Sequence, residues 1–301
     1  MHENVFSDAV VCRPLRSSPM RCERVGVVGT GIMGAGIAEV MATAGYEVIV
    51  RSRHETTAET TVMAIDKNLS RLVTKGRCTE DDKAATLERV RTTTSLRDLA
   101  DCDLVIEAAP EDLELKRELF GDLGNLCRPD AVLATNTSTL SIIELAVAAF
   151  HPERVVGMHF FNPAPVMPLV EIGRPLTASD ETVQLALEVV ARCGKQGVVV
   201  RDSTGFIVNA LLFGYLGGAV SMLERGVASK EDIDTAMVGG CNFPMGPFAL
   251  YDLIGIDVCV AVFDALFDEY RDPTFACPPM LRRMVAAGHL GRKAGRGFYV
   301  Y

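Results

Sequence analysis

Residues 24–34, RVGVVGTGIMG, decide the fold. A short β-branched run passes directly into Gly29-Thr30-Gly31-Ile32-Met33-Gly34, and AGIAEVMATAG follows at helical spacing until Gly45 can end it. Residues 46–50, YEVIV, then read as a second strand. Strand, glycine turn, helix and strand stand at the spacing of a dinucleotide-binding unit. Gly29 permits the tight turn, Gly31 lets the backbone approach a pyrophosphate, and Gly34 allows the helix to pack closely on the strand. The helix N-terminus then faces the phosphates.

In such a unit an acidic residue at the end of the second strand accepts hydrogen bonds from the ribose 2′-hydroxyl of NAD. Here that position is Ser52, between Arg51 and Arg53. Two guanidiniums and a hydroxyl suit the 2′-phosphate of NADP, so NADP(H) is favoured over NAD(H). Residues 57–75 read as a helix with Lys67, Arg71 and Lys75 along one side, either a solvated face or a place to receive the phosphates of a large acyl carrier. Buried-type strands follow at 103–109 and 131–135, with an amphipathic helix between them. The second strand runs into the polar turn Asn136-Thr137-Ser138-Thr139. Open α/β sheets hold ligands at such strand ends, although Ser138 could equally cap the helix that begins near Ser141.

Residues 155–160, VVGMHF, read as a strand bringing His159 to the same edge. In the surrounding MHFFNPAPVMPLVEI, Asn162-Pro163-Ala164-Pro165 and Pro168 exclude regular structure between His159 and Glu171. Two short strands returning past each other would set imidazole and carboxylate side by side, the arrangement of a general base with its orienting acid. The competing reading makes His159 a satisfied core histidine and Glu171 a solvated strand end.

A helix at 181–193 and a strand at 197–201 close this half. From residue 202 the pattern is helical throughout. Residues 206–225 form a long apolar stretch broken by glycine, read as a helix buried on several sides, with Asn209 either a satisfied core amide or a donor aimed at the cleft. Ser229 and Asp232 stand at capping-box-like spacing. The apolar character of this half suggests burial in a dimer. In the tail GRKAGRGFYVY, Lys293 either approaches a bound phosphate or is simply exposed.

A chain of 301 residues, 49% hydrophobic, supports two cores. The expected division is a loose extension over 1–22, a dinucleotide-binding domain over 23–201 and a helical substrate and dimerisation domain over 202–301. A net charge of −9 argues against a general nucleic-acid or anionic-membrane binder. Nine scattered cysteines, with no CxxC, indicate neither a zinc site nor a disulfide framework, and a reduced, cytoplasmic compartment fits best. No apolar run is long enough to span a membrane, and the first twenty residues lack the apolar core of a signal peptide.

With these motifs in order, the chain resembles the short-chain 3-hydroxyacyl-CoA dehydrogenases of the 3-hydroxybutyryl-CoA dehydrogenase type. The likeness runs from about Arg24 to Tyr301 through GTGIMGAGIAEV, NTST, MHFFNPAPVMPLVEI, GFIVNALL, ERGVASKEDIDTAM, PMGPFALYDLIG and GRKAGRGFYVY. It implies a Rossmann-type α/β domain followed by an all-α dimerisation domain, and reversible oxidation of a 3-hydroxyacyl-CoA to the 3-ketoacyl-CoA.

By the same resemblance, His159 falls on the catalytic base, Glu171 on its paired carboxylate, and Ser138 and Asn209 on residues that hydrogen-bond the reacting oxygen. The glycine loop with Ile32 and Met33, together with Glu111, Lys116, Asn162 and Lys293, matches cofactor contacts. Lys75 matches a coenzyme A contact, and Asn68 stands where a serine is more familiar. The departures are Ser52, where NAD-using members carry an acid, and Thr204, which replaces a frequent proline. A dehydrogenase of a free hydroxy acid or of an acyl-carrier-protein substrate, and a non-catalytic relative, are the alternatives.

Overall fold

The computed structural model describes residues 22–301. The extension expected over 1–22 therefore lies outside the described residues except for Cys22. The glycine-turn unit forms as the sequence predicts: β1 (Arg24–Val28), α1 (Ile32–Thr43) and β2 (Glu47–Arg51). A long α2 (Glu55–Thr74) descends and α3 (Glu80–Glu88) returns to β3 (Val90–Thr93). The sheet continues through β4 (Leu104–Glu107), α4 (Leu113–Leu126), β5 (Val132–Thr135), α5 (Ile142–Ala148) and β6 (Val155–Gly157). All its pairings are parallel, in the order β3-β2-β1-β4-β5-β6.

This is the doubly wound Rossmann arrangement, with its topological switch between β1 and β4. Period-two alternation puts Leu104 and Ile106 in the core shared with α1, and Val105 in the core shared with α4 and α5. Both faces are covered, as a parallel sheet requires.

The strand expected over 155–160 divides. Met158 still donates its N–H to Thr135, but His159 and Phe160 leave the parallel sheet as β7 and pair antiparallel with β8 (Leu169–Arg174), His159 opposite Glu171. Glycines permit the departure. A Cβ on Gly157 would stand 3.2 Å from the Cα of Gly173 and 2.6 Å from Ile142. After α6 (Asp180–Arg192), β9 (Gln196–Arg201) pairs parallel with β8 and completes a second, three-stranded sheet.

Five α-helices follow: α7 (Val208–Glu224), α8 (Lys230–Cys241), α9 (Pro247–Ile254), α10 (Ile256–Tyr270) and α11 (Pro279–Ala286). Ser229 caps α8 by accepting the N–H of Asp232. A separate core of Phe213, Leu216, Tyr251, Phe263 and Leu281 binds these helices. The burial expected of α7 on several sides is not found: it buries Phe213, Leu216, Ala219 and Val220, whereas Leu211 is 72% exposed. One stripe faces its own core, with Leu212, Tyr215 and Leu223 partly buried against it, and Leu211 is left uncovered within a single chain.

Candidate active site

Backbone geometry makes the glycine turn a fit for a dinucleotide. Gly29 adopts φ +125°, and a Cβ there would lie 2.4 Å from the carbonyl oxygen of Ala108. A Cβ on Gly34 would lie 2.1 Å from the carbonyl oxygen of Gly29, so the helix can seat here only without a side chain. Gly31 meets nothing within 4 Å, leaving open space where the fingerprint brings phosphates against the backbone. Ile32 is 78% exposed at the start of α1, with Met33 half-buried behind it.

At the end of β2 the hydroxyl of Ser52 turns inward. Ser52 is 2% exposed; its Oγ donates to the carbonyl of His54, pairs with the Thr57 hydroxyl and accepts the His54 N–H. Of the three residues expected to read the ribose, the serine is thus engaged at the start of α2. Arg53 is exposed, and Arg51 is half-buried with an Nε–H that has no acceptor. Burial lowers the pKa of Arg51, and the neighbouring charge of Arg53 lowers it further.

The histidine and the acid meet as their antiparallel register dictates. Nδ1 of His159 stands 2.8 Å from Oε2 of Glu171, with the two residues 4% and 1% exposed. An ionised carboxylate only accepts, so Nδ1 carries the proton and Nε2 presents its lone pair. Nε2 lies 3.0 Å from the Ser138 hydroxyl. Oε1 of Glu171 accepts the N–H groups of Ile207 and Val208, both at 3.0 Å, where α7 begins. Burial alone would raise the pKa of Glu171, but the hydrogen bonds from His159, Val208 and Ile207 outweigh it and the net shift is downward.

Ser138 is half-buried and does not cap the following helix; Ser141 occupies that position. Its turn is held at both ends: Asn136 Oδ1 accepts the N–H of Phe160, and the Ser138 carbonyl accepts the N–H of Gly205. Glu111 accepts the Ser138 N–H at 3.1 Å and the Thr137 hydroxyl. Lys116, expected as a cofactor contact, is 1% exposed and ion-paired with Glu107 at 2.5 Å and Glu111 at 3.3 Å. Asn162, which is exposed, precedes a cis peptide bond to Pro163. Asn209 is half-buried on the first turn of α7, next to the pair of N–H groups that hold Glu171.

Three expected residues stand apart from this cluster. Lys75 is exposed at the C-terminal end of α2, and Asn68 on the same helix donates to Glu39 at 3.2 Å. Lys293 is ion-paired with Asp257 of α10 at 2.6 Å.

Sequence reasoning did not single out Glu107 or the two rings against the imidazole, Phe161 at 4.5 Å and Phe206 at 5.6 Å between centroids. A signal for Glu107 was present, an acid closing an otherwise apolar strand with Lys116 nine positions on. Phe206 carried none, since its φ of +46° is visible only in the folded backbone.

The comparisons agree with this geometry. The family models for the 3-hydroxyacyl-CoA dehydrogenase NAD binding domain and C-terminal domain match residues 24–203 and 205–301. A 3-hydroxybutyryl-CoA dehydrogenase of Mycobacterium tuberculosis is 48% identical over 93% of this chain and 98% of its own length. The crystal structure of M. tuberculosis FadB2 superposes with a TM-score of 0.91 at 47% identity, covering 93% of this chain and 99% of that one. That of (S)-3-hydroxybutyryl-CoA dehydrogenase PaaH1 from Ralstonia eutropha gives 0.90 at 42%, with the same two coverages. A glycine turn shaped for a dinucleotide, and a histidine held between a carboxylate and a serine hydroxyl, thus accompany matches along nearly the whole described chain: it is an enzyme of the 3-hydroxyacyl-CoA dehydrogenase family.

Proposed function

We propose that the chain interconverts a short-chain 3-hydroxyacyl-CoA and the matching 3-ketoacyl-CoA, using NADP(H) in preference to NAD(H). The observation that carries this reading is the line of contacts through His159, with Nδ1 2.8 Å from Glu171 behind it and Nε2 3.0 Å from the Ser138 hydroxyl in front. In oxidation Nε2 takes the proton of the 3-hydroxyl. The bound nicotinamide supplies the acceptor for the hydride leaving C3. In reduction the imidazolium returns the proton to the oxygen, and Glu171 stabilises that cation. Ser138 and Asn209 hold the oxygen by hydrogen bonds that strengthen as charge develops on it. Oxidation of NADPH on addition of acetoacetyl-CoA tests the activity; no turnover with either dinucleotide would exclude it.

The preference for NADP(H) is supported by the unpartnered Nε–H of Arg51 beside Arg53, at the end of β2. A 2′-phosphate would satisfy that donor and relieve the repulsion between two guanidiniums. A charge-assisted hydrogen bond contributes about 1.5–3 kcal/mol, so Arg51→Ala should raise the KM for NADPH by about 10–100-fold and leave that for NADH within about threefold. Wild-type enzyme that favours NADH, with Arg51→Ala silent, would remove the phosphate-site argument.

The coenzyme A portion is assigned to the outer face of α1 and α2. A cleft of about 610 Å³ opens there, lined among others by Arg77, Arg89, Arg192 and Lys195. Lys195 also donates to the carbonyls of Ala164 and Met167 at 2.7 Å, tying the cleft to the loop that follows His159. With Lys75 at the exposed end of α2, the cations here outnumber the two acids that also line the cleft, Glu39 and Asp82, on a chain of net charge −9. Lys75→Glu should raise the KM for acetoacetyl-CoA about 3–10-fold with kcat unchanged, and leave a thioester lacking the nucleotide unaffected. Equal effects on both thioesters would place the CoA phosphates elsewhere.

A homodimer through the helical half is supported by Leu211, Phe243, Leu253 and Val258, all large, apolar and more than 40% exposed. Sedimentation at micromolar concentration should give twice the chain mass, and a strictly monomeric species would contradict it. Among the described residues no helix is long and apolar enough to cross a membrane. A reducing, cytoplasmic setting is assigned on cysteine usage, nine scattered residues with no CxxC.

A further inference from the structure

Glu107 stands where a parallel strand calls for an apolar side chain. It is the last residue of β4, every residue of which is buried, and it is itself 0% exposed. Its carboxylate is fully bonded. Oε1 accepts Lys116 Nζ at 2.5 Å and the Ala109 N–H at 2.6 Å, and Oε2 accepts the Thr135 hydroxyl at 2.7 Å.

Such buried ion pairs are weak stabilisers compared with well-packed apolar groups of similar volume, because desolvation offsets most of the attraction. Stability therefore gives little reason for this one. What it does fix is a set of positions. Lys116 reaches on to Glu111 at 3.3 Å and donates to the Ala109 carbonyl at 3.2 Å. Glu111 gathers the N–H of Ser138, the hydroxyls of Thr137 and Thr139 and, at 3.4 Å, the Thr139 N–H. Thr135 in turn accepts the Thr137 N–H at 3.2 Å. Two routes from one carboxylate, one through Lys116 and Glu111 and one through Thr135, thus converge on the turn whose Ser138 hydroxyl meets His159 Nε2.

We infer that Glu107 is a positioning residue, which acts through Lys116, Glu111 and Thr135 to set where the Ser138 hydroxyl stands relative to His159. It touches neither Ser138 nor His159. Glu107→Gln keeps the shape but places a neutral amide against Lys116 and disturbs the acceptor for either the Ala109 N–H or the Thr135 hydroxyl. The ammonium then leans on Glu111 alone, and the turn moves with it. A displacement of 1 Å at a reacting group can lower a rate about 100-fold.

The inference rests on the dehydrogenase reading, and a double-mutant cycle in the full chain tests it separately. Glu107→Gln should lower kcat about 10–100-fold with the KM for acetoacetyl-CoA changed less than about threefold. Ser138→Ala should lower kcat by its own factor, and the double variant should fall within about threefold of the worse single one, because the first change has already removed what the second deletes. Losses that multiply, or an unchanged kcat in Glu107→Gln, would overturn the proposal, since a purely structural anchor shifts Tm without coupling to Ser138.

Should Glu107→Gln not fold, Thr135→Val makes the same comparison without altering a charge. Coupling of its kcat loss to Ser138 supports the inference, and full activity overturns it. Wild-type enzyme inert towards 3-ketoacyl-CoA would instead sink the reading on which the inference stands.

Discussion

His159→Gln lowers kcat by about 10²–10⁴-fold while NADPH binding stays within about twofold of wild type. The glutamine side chain fills most of the volume of the ring and can still meet Glu171, so the β7–β8 pairing has no reason to open. It offers no basic nitrogen, however, and the 3-hydroxyl then has no group to receive its proton as hydride departs. Cofactor affinity is spared because the glycine turn, built from Gly29, Gly31 and Gly34, joins β1 to α1 and has its backbone hydrogen bonds with Arg51 and Ala35 rather than with the histidine strand. Stopped-flow or steady-state turnover with acetoacetyl-CoA, beside a fluorescence titration of NADPH, separates the two quantities. A variant that turns over at the wild-type rate would end the assignment of His159 as the acid–base.

How much of this could be read before folding depends on whether the information is local. The glycine turn is local: three glycines at fixed spacing between an apolar strand and a mostly buried helix state both the fold and the ligand class. The histidine–glutamate pair was nearly so, because prolines at 163, 165 and 168 leave little for the intervening chain to do but turn back. What the sequence did not announce is the exit of β7 from the parallel sheet. That step depends on Gly157 and Gly173 lying face to face, and on β9 arriving beside β8 after a crossover through α6. Edge strand β3, VRTT, has two exposed and two half-buried residues and shows no apolar alternation at all. The inward turn of Ser52 and the burial of Lys116 were equally hidden, since a polar residue's partners lie on other elements and burial is a property of the assembled whole.

Glu171→Gln tests the acid beside that histidine more sharply than a truncation would. In the native site Oε1 takes the N–H groups of Ile207 and Val208 while Oε2 takes the imidazole. A glutamine has one oxygen. If that oxygen keeps the two backbone donors at the start of α7, its NH₂ group faces Nδ1 and forces the ring proton onto Nε2, the nitrogen that must be bare to accept the substrate proton. If it turns to serve Nδ1, two buried N–H groups face another donor. The first arrangement gives the wrong tautomer and a loss of kcat of about 10⁴-fold, the magnitude known for the comparable change in serine-protease triads; the second destabilises the junction between β8 and α7. The pH dependence of stability distinguishes the wild-type carboxylate from its neutral replacement. The folded-state pKa of Glu171 lies below its ordinary value of 4.5, so its contribution is fully present above that value and is lost as pH falls through the lowered one. The difference in Tm between wild type and Glu171→Gln should therefore be greatest near neutrality and shrink on acidification. A constant difference from neutral pH down to pH 3, together with wild-type turnover, would show that the charge on residue 171 serves neither the imidazole nor the helix.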